Sequence, residues 1–133
     1  MTVEYRNEMG QLHRENDLPA IEKANGDNYW FANDKLHRDG GRPAVEYQNG
    51  CKCWCVGGKF HRDNGLPAVE KANGDKVWYI NGKCHRDYGL PAMEYANGDK
   101  RWFMNGKLHR ENDLPAVERA DGDNEWWLNG VRY

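Results

Sequence analysis

The chain contains no serine, and Thr2 is its only threonine. A Ser-His-Asp hydrolase is excluded by composition, because its nucleophile is missing. No apolar run approaches the roughly 20 residues of a membrane-spanning helix. The start, Met1-Thr2-Val3-Glu4-Tyr5-Arg6, lacks the apolar stretch of a secretion signal. A soluble, cytoplasmic protein is the default expectation, with no membrane among its partners. An excess of one charge sign is also missing: Lys and Arg number 19, Asp and Glu 21, and no basic tail or stripe stands out. DNA and RNA are therefore not expected partners, since holding a phosphate backbone takes clustered cations. Apolar residues make up 38% and the mean hydropathy is −1.07, which is lean for a two-layer globule with a sealed core.

Cysteine is scarce and confined to Cys51, Cys53, Cys55 and Cys84. On a strand the first three span roughly 13 Å, too far to meet at one zinc ion. Adjacent pairs lie near or beyond the disulfide limit. Reduced, space-filling thiols are expected, with no metal and no cofactor.

What the chain has in abundance is itself. Five units of 24 residues run 11–34, 35–58, 59–82, 83–106 and 107–130 without insertion or deletion. His13-Arg14, His37-Arg38, His61-Arg62, His85-Arg86 and His109-Arg110 mark the register. A fixed period of this length means one supersecondary unit stacked on copies of itself, so residues 1–133 form a single repeat domain. Residues 1–10 and 131–133 are read as caps, with Tyr5 and Arg6 in register with Tyr29 and Trp30, and Tyr133 at the position of a sixth histidine.

Two Asn-Gly pairs, or Asn33-Asp34, Gly57-Gly58 and Asp121-Gly122 in their place, punctuate each unit, and Asn-Gly between strand-like runs is a strong hairpin signal. In the third unit Ala68–Ala72 and Lys76–Ile80 read as strands around Asn73-Gly74, and Asn81-Gly82 leads into Lys83–Arg86. Helix is not expected, because Gly, Pro and Asn interrupt every window. The fold class is therefore all-β: a single-layer, solenoid-like antiparallel meander of about ten to twelve short strands. Two-residue loops would place Ile80 opposite Lys83, Tyr79 opposite Cys84 and Trp78 opposite His85. They would also place Glu70 opposite Val77, with Arg86 beyond it, in a salt-bridged ladder. The imidazoles are expected to stack on the tryptophans and the arginines to pair with the glutamates.

The text Trp78-Tyr79-Ile80-Asn81-Gly82-Lys83, repeated as Trp102-Phe103-Met104-Asn105-Gly106-Lys107, resembles MORN repeats, and most of all their bacterial and phage variants. His-Arg-(Asp/Glu) and Leu-Pro-Ala-Val-Glu stand where the common unit has Gly-x-Gly. The resemblance covers residues 11–130. It implies an elongated sheet that serves as a scaffold for protein contacts or self-association. It further implies inhibitor, antitoxin or immunity-type roles, a phage-encoded counter to host defence, or phospholipid binding.

Candidate sites follow from recurrence and from departure. His85-Arg86-Asp87 has the makings of a base, an anion clamp and an orienting carboxylate. Five copies and no implied cleft argue instead for a structural role and against an enzyme. An anion site per unit, built on Arg14, Arg38, Arg62, Arg86 and Arg110, is the alternative kept; it would take a phosphate-bearing small ligand or a phospholipid. Asp27, Asp75, Asp99 and Asp123 are read as turn stabilisers. Positions free to differ can be tuned to a partner, and Tyr47, Tyr88, Tyr95 and Arg101 are the anchors expected there. The leading expectation is a non-enzymatic scaffold that binds a protein through one sheet face, with homodimerisation through the edge strands left open.

Overall fold

The two Asn-Gly pairs of a unit make different turns, and that difference sets the architecture. At the second pair, Asn81 (φ 50) and Gly82 (φ 81) both adopt left-handed backbone, a two-residue turn matched to strand twist. Ile80 therefore faces Lys83 and Tyr79 faces Cys84, as the sequence predicts. At the first pair only Gly74 is left-handed (φ 100), and its amide donates to the Lys71 carbonyl at 3.0 Å. Three residues, Ala72-Asn73-Gly74, occupy this loop, a type I turn closed by a glycine bulge. The expected pairing of Glu70 with Val77 is thus corrected by one residue: Val69 faces Val77 and Glu70 faces Lys76.

The computed structural model describes residues 1–133 and holds twenty two-residue strands in place of about a dozen longer ones. Ten of them form one antiparallel sheet that begins Val3–Glu4, Ile21–Glu22, Asn28–Tyr29 and ends Lys100–Arg101, Val117–Glu118. The other ten form five separate hairpins, of which Tyr79–Ile80 with Lys83–Cys84 is the third. The expected strand Lys76–Ile80 is split because Trp78 changes partners. Its amide donates to Ala92 in the sheet, while its carbonyl accepts from His85 in the hairpin. Each of the first four units thus lends two strands to the sheet and the fifth lends one, while the hairpins form a parallel row across the unit junctions. No helix is long and apolar enough to cross a membrane.

The core runs along the line where sheet and hairpins join. Ala20, Ala44, Ala68, Ala92 and Ala116 are wholly buried there, and Trp30, Trp54, Trp78 and Trp102 nearly so. No charged side chain is buried. Each indole N–H donates to a loop carbonyl earlier in its own unit, as Trp78 Nε1 does to Gly65 at 2.9 Å.

Two expectations about this line are corrected. Arginine, not histidine, covers the tryptophan: Arg38, Arg62, Arg86 and Arg110 lie 3.6–3.8 Å above Trp30, Trp54, Trp78 and Trp102. The salt bridge also stays local, to the loop that follows each arginine and the strand after it. Arg86 reaches Glu94 at 3.4 Å and the Pro91 carbonyl at 3.0 Å, rather than Glu70, because the Asp87–Pro91 loop folds back on itself.

The N-cap is shifted too. Tyr5, not Arg6, takes the tryptophan place: its amide donates to Ala20, its carbonyl accepts from His13, and Arg14 lies 3.7 Å over its ring. The loop closed by Asn7 and Gln11 holds one residue more than the Asn-Gly loops it replaces, which absorbs the slip. At the other end Tyr133 does stand at a histidine position, its amide donating to the Trp126 carbonyl.

Candidate functional site

The His-Arg ladder is a set of clamps that tie the start of each unit to the hairpin turn at its end. An amide N–H can only donate, so His85 Nδ1, 3.0 Å from the Asn105 amide, must accept. The ring proton then sits on Nε2 and is directed at Asp87 Oδ1, 2.7 Å away. The same double engagement recurs at His13, His37 and His61, and at His109 with a longer 3.6 Å approach to Glu111. Neither nitrogen is left to take a proton from a substrate. The guanidiniums of Arg14, Arg38, Arg62, Arg86 and Arg110 are equally committed, each to a proline carbonyl, a glutamate and an aromatic face.

A second clamp lies at the first turn. Asp27, Asp75 and Asp99 each accept the amide of the residue 21 positions on, at 2.8 Å. Beyond the turn-stabilising role expected from the sequence, these carboxylates bind the next unit. In the second unit Cys51 stands in that place, and its sulfur takes the Ala72 amide at 3.3 Å. Sulfur accepts weakly. Cys51→Asp is expected to raise the unfolding free energy by about 0.5–1.5 kcal/mol, read from the urea midpoint at constant slope. A lower midpoint would contradict the clamp. Cys53, Cys55 and Cys84 are free and buried, and burial pushes the thiols of Cys55 and Cys84 up to about 12, so neither supplies a thiolate.

The second unit's other oddity has a partner. Arg42, standing where other units have leucine, forms an ion pair with Asp17 of the first unit, which also receives Arg38 at 2.9 Å. Arg38 and then Arg42 hold the Asp17 carboxyl below the usual carboxylate range.

Clefts, which the sequence does not imply, open between successive loops. One of about 400 Å³ lies between the fourth and fifth units, lined by Tyr88, Leu90, Trp102, Phe103, Met104 and Leu114 among others. A related cleft of about 370 Å³ lies between the second and third units, with Val56 and Leu66 in its wall. The leucines and the hairpin residues Val56, Ile80, Met104 and Leu128 are all exposed, a recurring aliphatic strip along the loop-bearing surface. These residues escape sequence reading because they look like ordinary core; their recurrence beside proline was the available signal.

The four expected anchors are not brought together. Tyr88 stands 96% exposed on the rim of the larger cleft. Arg101 pairs across strands with Met93, and its guanidinium lies 5.5 Å from the Tyr95 ring. Tyr47 is half-buried edge-on against Tyr29. Four strand steps separate the Tyr47 and Tyr95 strands, about 19 Å. No protein-family model matches the chain, and no curated protein matches it at a significant level.

Proposed function

We propose that the protein is a non-enzymatic repeat scaffold that holds a protein partner on its loop-bearing face, with Tyr88 as the central anchor. The observation that carries this reading is the backbone of Tyr88. Its φ is +67, in the left-handed region, where the equivalent residues are Asn16, Gly40, Asn64 and Asn112. A bulky aromatic residue there costs about 1–2 kcal/mol, which asparagine and glycine largely avoid. The ring recovers nothing by burial, being almost fully exposed. Strain kept without a folding benefit is characteristic of binding sites. Tyrosine is a favoured anchor, and this one flanks the most apolar of the clefts.

The engagement of every histidine and arginine in the ladder supports a scaffold over an enzyme and over a phosphate clamp in each unit. The likeness to MORN-type repeats, carried by tandem short antiparallel hairpins, points the same way. The test is Tyr88→Asn, which installs the residue of the sibling loop. It is expected to raise stability by about 1 kcal/mol while abolishing capture of the partner by affinity pull-down from the native host. Equal capture by both proteins, or capture of none by the wild type, would overturn the reading.

A further inference from the structure

The hairpin row carries a charge pattern that no internal contact uses. Lys35, Lys59, Lys83 and Lys107 occupy one position per unit, all exposed. Every ion pair in the structure is made by arginine or histidine, so none of the four is neutralised. The lysines of the sheet differ, since Lys52, Lys76 and Lys100 face glutamates across the strands. On the hairpins only Asp34 is acidic, and it accepts the Leu12 amide. A chain of net charge −2 thus keeps one edge cationic.

Each of these lysines is paired directly with a hairpin residue: Ala32 with Lys35, Val56 with Lys59, Ile80 with Lys83, Met104 with Lys107. Paired side chains share a face. Val56 and Met104 line the loop clefts, so the lysines border the same surface as Tyr88. The result is a strip that alternates aliphatic and cationic side chains. Every unit advances the sheet by two strands, about 9.6 Å, so like charges recur at that spacing. The lysine stems are steadied by the next turn: the hydrogen of Gly82 that a Cβ would replace points at the Lys59 stem, 3.5 Å from that added atom.

We infer that the partner segment is an amphipathic α-helix laid along this strip, with acidic and aliphatic residues alternating every three to four positions. This deepens the proposed function and rests on it. A helix rises 1.5 Å per residue, so residues seven apart lie about 10.5 Å apart on one face. The mismatch of about 1 Å per unit is within reach of lysine side chains over three units. Residues three or four apart fall between them, where the aliphatic positions lie. An extended peptide fails this geometry, because three residues span about 10 Å but point to opposite faces. A phosphate backbone would leave the aliphatic positions without a counterpart, which disfavours nucleic acid.

The test is zero-length carbodiimide cross-linking of the complex captured by wild-type protein, with mass-spectrometric mapping, beside a Lys35/59/83/107→Glu variant. Circular dichroism checks that the variant is folded. Cross-links should join Lys59, Lys83 and Lys107 to Asp or Glu residues about seven positions apart in one partner segment. The charge-reversed protein should bind about tenfold or more weakly, with a weaker dependence on salt. Loss of capture by Tyr88→Asn with full retention by the charge-reversed variant would overturn the helix while leaving the scaffold. Equal capture by Tyr88→Asn and wild type would overturn the scaffold itself. Cross-links confined to Lys52, Lys76 and Lys100, or preferential retention of anionic vesicles or DNA, would also overturn the helix.

Discussion

Trp78→Ala lowers the unfolding free energy by about 3–5 kcal/mol, the range for emptying a packed aromatic site. The indole is 5% exposed and packs with Cys84 and Ala92. Arg86 lies 3.8 Å above it, and its N–H holds the Gly65 carbonyl at 2.9 Å. Removing the ring therefore leaves a cavity, takes away the cation's aromatic partner and frees the preceding loop. The contrast is Trp126, at the end of the stack, 36% exposed and with no following arginine to cover it. Trp126→Ala should cost about 1 kcal/mol, near the ordinary value for a single substitution. Urea unfolding followed by far-ultraviolet circular dichroism measures both. Equal losses would mean that the tryptophan–arginine line is not where the stability resides.

The second large effect concerns length. Deleting residues 59–82 should leave a folded protein, whereas deleting residues 71–82 should abolish folding. No clamp reaches beyond the neighbouring unit: His61 to Asn81 and Trp78 to Gly65 lie within the third unit, and Asp75 to Ala96 joins it to the fourth. A 24-residue deletion joins Gly58 to Lys83, restoring the Gly-Lys junction, and gives Cys51 the Ala96 amide in place of Ala72. Stability in such stacks is a sum over units and their interfaces. The denaturant slope should fall by about one fifth, in proportion to the surface lost. The 12-residue deletion removes both turns of the third unit and joins sheet strand to hairpin strand, so no clamp of that unit finds its partner. Loss of structure in the 24-residue deletion would show that the units are not equivalent.

These predictions use features of unequal legibility. The all-β class and the Tyr79–Cys84 pairing follow from local chemistry, since Asn81 and Gly82 tolerate left-handed backbone and two such residues define the turn. The first turn carries the same dipeptide yet takes a third residue, Ala72, and nothing in Asn73-Gly74 itself announces it. That single residue moved Glu70 from Val77 to Lys76 and removed the expected ladder with Arg86. Of the candidate site, Tyr88 was legible as a departure among copies. Its strained backbone and its place beside Leu90 and Met104 were not, nor was the separation of Tyr47, Tyr95 and Arg101 from it.

Read alone, the sequence yields the period, the strand-and-turn character and the absence of serine chemistry. These depend on composition and on contacts between near neighbours along the chain. Tertiary contacts alone settle that arginine covers tryptophan, that histidine ties the two ends of a unit, that aspartate clamps successive units, that Tyr5 replaces tryptophan in the N-cap, and that clefts open between loops. Those outcomes depend on strand register and loop return, where a shift of one residue exchanges every partner.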